Sequence, residues 1–188
     1  AGTSTSAALV SGIIALMLEV NPTLTWRDVQ KILVFSGRKI DLPDPGWQMN
    51  GGGHYYNHHY GFGRLHAYGA VLSASRWNNM PPALPPISTF SLSSLPIPDA
   101  DPIGVSQAAT VASAVPFRVE HVELTVNITH TYRGDLAISL TSPSGTKSVM
   151  THIHTDFADN YSNYKFTSVA HYGENPVGDW VLKVNDGN

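Results

Sequence analysis

Cysteine is absent from this chain of 188 residues, which excludes a disulfide framework and a zinc-thiolate site. Charged residues are also scarce: they make up 13% of the chain, whereas roughly a quarter is usual in a soluble domain. A surface with so little charge is more typical of secreted or lumenal proteins than of cytosolic ones. The net charge is −3 and no basic run occurs, so nucleic acid is not an expected partner.

Long uninterrupted apolar runs are missing too. The longest apolar stretch, residues 7–20, contains Ser11, Gly12 and Glu19, and we expect it to be too short and too broken to cross a membrane. The chain does not begin with Met, no signal peptide precedes its first motif, and its last residues form a turn pattern after a predicted strand. We therefore expect both ends to be cut edges of a longer protein.

Helical patterns dominate the first part of the chain. Residues 6–18 are apolar on nearly every side, which predicts a helix buried in a larger body than this chain supplies. Thr25 and Asp28 have the spacing of a capping box and predict a second helix, which Gly37 ends. A third helix is predicted over residues 67–76.

Loop and linker patterns follow these helices. Residues 41–63 are rich in Gly, Pro, Asn and His and predict a loop. Four prolines then favour a stiff, extended segment that cannot donate backbone hydrogen bonds: Pro81, Pro82, Pro85 and Pro86. We predict a domain boundary at this linker, residues 81–87.

Beyond the linker the periodicity changes from helical to alternating. Apolar and polar residues alternate over residues 122–129, which predicts a strand with one buried face, and residues 136–140 and 180–184 repeat the pattern. Turn signals separate the strands at residues 132–135 and 142–145. Several short strands with regular turns predict an all-β sandwich or jelly roll.

The start of the first helix suggests chemistry, because Ser4 follows Gly2 and Thr3 there. The N–H groups at a helix N-terminus lack partners within the helix and carry partial positive charge. Both properties would stabilise the oxyanion formed when Ser4 attacks a carbonyl carbon. The alternative interpretation of the same residues is an ordinary N-cap.

The residues around Ser4 resemble the serine motif of the subtilase family, in which Gly-Thr-Ser and small residues open a central helix. Residues 18–30, with Leu-Thr-Trp-Arg-Asp at 24–28, resemble the kexin/furin branch of that family, and Tyr-Gly-Phe-Gly at 60–63 resembles one of its later loops. The second half of the chain is independently similar to the P domain of proprotein convertases. That similarity lies in residues 117–122, 133–138, 140–146, 168–175 and 178–180.

The resemblance implies two domains of a kexin/furin-type proprotein convertase. Residues 1–80 would be the C-terminal, helical part of a subtilisin-like α/β peptidase domain, and residues 81–87 the linker. Residues 88–188 would be an all-β, jelly-roll-like P domain that lacks its C-terminal end.

The implied activity is that of a serine endopeptidase that cleaves precursor proteins after Lys-Arg or Arg-Arg pairs, with Ser4 as the nucleophile. The triad of subtilisin-like enzymes runs Asp, His, Ser along the chain, so the Asp and His would lie upstream of residue 1. The oxyanion-hole Asn, the acidic specificity pockets and the ligands of the implied cofactor, calcium, would lie there too. This fragment alone is therefore expected to be inactive.

The implied partners are precursor proteins with basic cleavage sites and an upstream N-terminal propeptide, and a membrane anchor beyond the chain stays open. The implied location is the secretory pathway (Golgi membrane or lumen) or the extracellular space. Two alternatives also stay open. One is a non-catalytic or degenerate homologue whose β-domain binds or stabilises another protein, and the other is a bacterial extracellular subtilase with an appended P-like domain.

Two positions depart from the family pattern. Ala8 stands where the subtilase motif usually has Pro, so the turn into the helix is expected to be less stiff. His66 stands where an Asp usually precedes Ala, and we interpret this change as structural. None of the nine histidines is expected to be the triad base, because that base precedes the serine in subtilases.

Other motifs have competing interpretations. His54, His58 and His59 form a possible metal cluster with an unfavourable spacing, and His152 and His154 are expected on a solvent-facing strand face. Arg133-Gly134-Asp135 matches an adhesion motif, but a structural turn is favoured. Two glycosylation acceptor patterns occur, Asn127-Ile128-Thr129 and Asn160-Tyr161-Ser162.

Overall fold

The computed structural model describes residues 2–87 and 94–187. They divide into two units: unit 1 comprises Ala1–Trp47 and His59–Ile87, and unit 2 comprises Gln48–His58 and Ser88–Asn188. Residues 81–87 are exposed and belong to no helix or strand, while residues 88–93, the predicted start of the β-domain, lie outside the described part. The domain division predicted from the sequence stays a prediction.

The described residues form three helices, α1 (Thr3–Val20), α2 (Trp26–Ser36) and α3 (Ala67–Ser75). The strands, in chain order, are β1 (Gly37–Arg38), β2 (Gln48–Met49), β3 (Tyr55–Tyr56), β4 (Arg64–Leu65), β5 (Val105–Val111), β6 (Val122–Ile128), β7 (Leu136–Thr141), β8 (Lys147–Thr151), β9 (Tyr161–Ser168) and β10 (Gly178–Asp186). The three predicted helices and the three predicted strands are confirmed. The stretch predicted as loop, residues 41–63, contains the short strands β2 and β3.

Unit 1 is built from the three helices and the small antiparallel pair β1–β4. Its core consists of Met17, Leu24, Ile32, Ala70 and Ala74. The two alanines are four residues apart on α3 and therefore lie on one face of that helix, where their small side chains let the neighbouring helices approach.

Helix α1 is unusual because most of its apolar surface is exposed. Met17 is its only buried residue, while the side chains of Leu9 and Leu16 are 68% and 50% exposed. The helix has 18 residues and a mean hydropathy of 1.6, which meets the length and composition of a membrane span. The helix is thus longer than the apolar stretch recognised in the sequence, but the core helix of a soluble protein has the same length and composition, and the expectation that it does not cross a membrane stays a prediction.

Helix α2 begins at the predicted capping box. The Asp28 backbone N–H donates to the Thr25 hydroxyl (3.3 Å), and the Thr25 backbone N–H donates to the Asp28 carboxylate (2.8 Å). That buried carboxylate also accepts hydrogen bonds from Trp77 Nε1 (3.0 Å) and Met80 N (2.7 Å). Asp28 thus connects the start of α2 to the chain that follows α3. Gly37 is the C-cap, as predicted.

Unit 2 contains an antiparallel four-stranded sheet, in the order β5-β10-β7-β8, together with the antiparallel pairs β6–β9 and β2–β3. Buried side chains from β6, β7, β9 and β10 form its main core: Val126, Leu136, Ile138, Tyr161 and Val184. Strand β8 ends at Thr151, so His152 and His154 lie beyond it. Both are exposed, but the expectation that they share a strand face is wrong.

The Arg133-Gly134-Asp135 segment forms one turn of 3-10 helix before β7. Arg133 Nε donates to Asp156 Oδ2 at 2.8 Å, and the Gly134 N–H donates to the Asp156 carbonyl at 3.1 Å. Gly134 is buried. Because its arginine is held in an ion pair and its glycine is covered, the segment is a structural turn, as the sequence favours, and not a displayed adhesion loop.

Asp28→Asn should destabilise unit 1. Burial alone would raise the pKa of Asp28, but hydrogen bonds from Thr25, Met80 and Trp77 lower it from 3.8 to about 2. The ionised form therefore contributes about 2 kcal/mol, a contribution present above pH 3.8 and lost as the pH falls towards 2. We expect Asp28→Asn to remove a similar amount at neutral pH, measured by chemical unfolding of the protein that contains this chain. Glu19→Gln, at an exposed position of α1, is the control, and an equal loss there would contradict the assignment.

Candidate functional site

Ser4 is the second residue of α1, and its side chain is exposed. The N-cap is Gly2, which has an extended backbone and can supply no side-chain cap. Thr3 and Ser4 are helical residues and do not cap the helix, so the N-cap interpretation of Ser4 does not hold. Within residues 2–87 and 94–187 the Ser4 hydroxyl has no hydrogen-bond partner, so it is available to a ligand.

The electrostatic surroundings of Ser4 suit a developing negative charge. The first turn of α1 contains no acidic residue, and the Thr5 N–H donates to the Gly2 carbonyl at 3.2 Å. The helix start therefore places amide N–H groups and their partial positive charge close to the serine. This arrangement can stabilise an oxyanion, but by itself it cannot remove the proton from the hydroxyl.

Three histidines of the described chain have structural contacts. His66 is the N-cap of α3: its Nδ1 accepts a hydrogen bond from Gly69 N at 3.1 Å. His58 Nε2 accepts the Val149 N–H at 2.8 Å, and the His54 ring packs edge-on against Tyr172. In the ranges 2–87 and 94–187, no group of three or more His, Asp or Glu side chains could hold a metal ion.

A polar cluster around a buried carboxylate in unit 2 was not predicted from the sequence. At its centre is the fully buried carboxylate of Glu174. Its Oε1 accepts hydrogen bonds from Gly51 N (2.9 Å) and from the Thr146 hydroxyl, and its Oε2 accepts one from Ser144 Oγ (2.8 Å). We call Asn50, Gly51, Ser144, Thr146 and Glu174 the Glu174 cluster. Three donors compensate the loss of water around the charge.

Asn50 completes this cluster from the β2–β3 side. Its Nδ2 donates to the carbonyls of Ala170 (2.8 Å) and Tyr172 (3.0 Å), and its Oδ1 accepts the N–H groups of Gly52 (3.0 Å) and His54 (2.9 Å). A Cβ at position 52 would overlap the Tyr172 carbonyl, so only glycine allows this approach. Glycine at position 52 is therefore a packing requirement, whereas Gly53 has open space around it and a left-handed backbone, with φ 79°.

His171 is buried beside the cluster with both ring nitrogens lacking a hydrogen bond among the described residues. Its Nδ1 lies 3.8 Å from Glu174 Oε2, and its ring packs edge-on against Trp180 at a centroid distance of 4.9 Å. Burial lowers the pKa of His171, and the nearby Glu174 charge offsets only part of that effect. The imidazole is therefore held in its neutral form.

Comparison with protein families assigns both halves of the chain. Residues 1–63 match the Subtilase family, and residues 119–188 match the proprotein convertase P-domain. A PC3-like endoprotease (variant B) of Hydra vulgaris is 42% identical over 98% of this chain. Proprotein convertase subtilisin/kexin type 6 of Rattus norvegicus is 40% identical over 98% of it, and protease KEX1 of Kluyveromyces lactis is 40% identical over 97%.

The chain belongs to the kexin/furin-type proprotein convertase family. It spans about a quarter of these relatives, covering 27%, 20% and 25% of their lengths. The serine protease of Aeromonas sobria, solved with its chaperone, has a similar fold: its TM-score is 0.81 at 25% identity, over 95% of this chain and 36% of that one. Helix α1 lies within the subtilase match, which favours a helix of the peptidase domain over a membrane span.

The two family matches also show which domain family each residue of the candidate sites belongs to. Ser4 falls in the subtilase region, and Ser144, Thr146, His171 and Glu174 fall in the P-domain region. The His66 substitution is structural, as we interpreted it, because an imidazole nitrogen here accepts the hydrogen bond that a carboxylate would accept at a helix N-cap.

Acidification should destabilise unit 2 through His171. The pKa of His171 in the folded chain is lower than the unfolded value of about 6.5, so its contribution to stability is present above that pH and is lost as the pH falls below it. We expect the melting temperature of the full-length protein to fall between pH 7 and pH 5, and His171→Leu to reduce that slope. His152→Gln, at an exposed position, is the control. An unchanged slope in His171→Leu would contradict the assignment.

Proposed function

We propose that the protein containing this chain is a serine endopeptidase that processes precursor proteins, and that Ser4 is its nucleophile. The observation that supports this most directly is the exposed Ser4 hydroxyl at the start of α1, within the residues that match the Subtilase family. The relatives, named as endoproteases and proprotein convertases, support the processing role.

In the proposed mechanism Ser4 Oγ attacks the carbonyl carbon of the scissile peptide bond. A histidine upstream of residue 1 takes the hydroxyl proton, and an upstream aspartate orients that histidine. The N–H groups at the start of α1 stabilise the oxyanion of the tetrahedral intermediate. The histidine then gives this proton to the leaving amine as the C–N bond breaks, and water hydrolyses the acyl group from Ser4.

The finer features of the proposal rest on the family resemblance. Cleavage after Lys-Arg or Arg-Arg pairs would require acidic pockets upstream of residue 1. Calcium would be held by ligands in the same upstream part, and a propeptide would precede it. We further propose that unit 2 is a jelly roll, as P domains are, and that the protein acts in the secretory pathway or outside the cell.

A non-catalytic homologue is the second candidate, because neither a triad histidine nor a triad aspartate lies beside Ser4 in the described residues. A bacterial extracellular subtilase is the third candidate. The observation in its favour is the similarity to the serine protease of Aeromonas sobria, which is 25% identical in sequence. The sequence directly upstream of residue 1 separates the three. A triad Asp and His with acidic pockets would support the processing enzyme, and their absence would contradict it.

Ser4→Ala in the full-length protein should abolish peptidase activity and leave the fold intact. Loss of a triad serine costs on the order of 10⁶ in turnover in the subtilisin example. Turnover of a fluorogenic peptide with a Lys-Arg pair measures the loss, and circular dichroism measures the fold. Ser6→Ala removes an exposed hydroxyl two residues further along α1 and should retain activity. Near-normal turnover by Ser4→Ala would show that another residue is the nucleophile.

The isolated 188-residue chain should have no activity on the same peptide. A serine hydroxyl without a base to take its proton is a poor nucleophile. The assay compares the purified chain with its own Ser4→Ala variant, so that a contaminating peptidase is recognised by equal rates in both. Turnover that Ser4→Ala abolishes would contradict this prediction.

A further inference from the structure

Asn127 occupies an irregular position in the pair β6–β9. Val126 pairs with Tyr164 and Ile128 pairs with Tyr161, so the single residue Asn127 lies opposite two residues, Ser162 and Asn163. Such a bulge leaves local groups outside the regular ladder. Asn163 has a left-handed backbone, with φ 49°, which is consistent with this bulge.

The Asn127 side-chain amide has a fixed orientation. The Asn163 backbone N–H donates to its Oδ1 at 2.7 Å. Since a backbone N–H can only donate, the atom that faces it must be the oxygen, and the Nδ2 group points elsewhere. Within residues 2–87 and 94–187 this Nδ2 has no hydrogen-bond partner. Asn127 is exposed, as is Thr129 two residues later.

The second acceptor pattern has the opposite properties. Asn160 Oδ1 accepts the His130 N–H at 2.9 Å, and Asn160 Nδ2 donates to Asp159 Oδ2 at 2.9 Å. The Asn160 backbone N–H donates to the His130 carbonyl at 3.1 Å. A substituent on Nδ2 would compete with an existing bond at a half-buried residue with a left-handed backbone, φ 47°. The folded chain therefore accommodates a large group at Asn127 and not at Asn160.

We propose that Asn127 is an N-glycosylation site and that Asn160 is not. The donor would be an oligosaccharide attached to a lipid through a pyrophosphate. A bond forms between Asn127 Nδ2 and C1 of the first sugar, the bond between C1 and the phosphate oxygen breaks, and Nδ2 loses one proton. The lipid pyrophosphate is the leaving group, and Thr129 supplies the hydroxyl that the acceptor pattern requires.

The outer face of the β6–β9 pair is suited to carry a glycan. The exposed residues on β6 alternate along this face: Glu123, Thr125 and Asn127. Glu123 forms an ion pair with Lys165 of β9 at 2.8 Å, and both side chains are about half exposed. A hydrophilic group on this polar face displaces no apolar contact. The inference relies on the proposed function only for the passage of the protein through a eukaryotic secretory pathway.

The experiment expresses the full-length protein in a eukaryotic secretory host and maps its glycosylated residues by mass spectrometry. Enzymatic deglycosylation in heavy-oxygen water converts each modified asparagine to a labelled aspartate, so the wild-type protein alone gives an answer. We expect the label at position 127 in most of the secreted protein and none at position 160. Asn127→Gln and Thr129→Val should lose this glycan, Thr129→Ser should keep it, and Ser162→Ala should leave it unchanged.

An unmodified Asn127 in most of the secreted wild-type protein would overturn the proposal. A label at position 160, alone or together with position 127, would overturn it as well, because the bonds of Asn160 would then be no obstacle. Peptidase activity is measured on the same preparation to separate the two proposals. An active peptidase with an unmodified Asn127 contradicts only the glycosylation site, and a glycosylated but inactive protein contradicts only the proposed function.

Discussion

A buried carboxylate is stable only when hydrogen-bond donors replace its water, and the donors around Glu174 come from distant parts of the chain. Gly51 precedes Glu174 by 123 residues and Thr146 precedes it by 28. These groups meet only if the residues of β2 and β3 have folded onto the same framework as β7 to β10. The placement of the glycine-rich segment depends on this charge through the Gly51 N–H, and His171 is buried beside it, with its Nδ1 3.8 Å from Glu174 Oε2.

Unit 1 has a counterpart in Asp28. Its carboxylate caps α2 locally and also accepts hydrogen bonds from Trp77 and Met80, which follow α3. Asp28 therefore caps its own helix and also joins it to a distant segment. Trp77 and Met80 lie 49 and 52 residues after Asp28 in the sequence. The two units share this structural feature. Each stabilises an irregular stretch of backbone with a carboxylate for which the folded chain supplies every donor.

Sequence reasoning succeeded where the determinants are local. The capping box at Thr25 and Asp28 and the alternation of strands β6, β7 and β10 depend on neighbouring residues, and both are confirmed. It failed where partners are remote: nothing near Glu174 signals that its carboxylate binds Gly51. The first helix was predicted over residues 6–18, whereas in the structure it begins at Thr3, and Ser4 was singled out by its neighbouring residues. The histidine and aspartate that we propose to activate Ser4 are expected upstream of residue 1, where no pattern in this sequence can locate them.

The apolar surface of α1 has a consequence for the solubility of these 188 residues. Leucines at 9 and 16 face water along a helix that has a single buried side chain. Patches of this kind associate with one another or with holdase chaperones unless another surface covers them. We therefore expect the chain, produced by itself, to be poorly soluble at high concentration because the apolar surface of α1 is exposed. The tendency of the isolated chain to aggregate would therefore reflect the exposed apolar face of α1 more directly than the stability of unit 2.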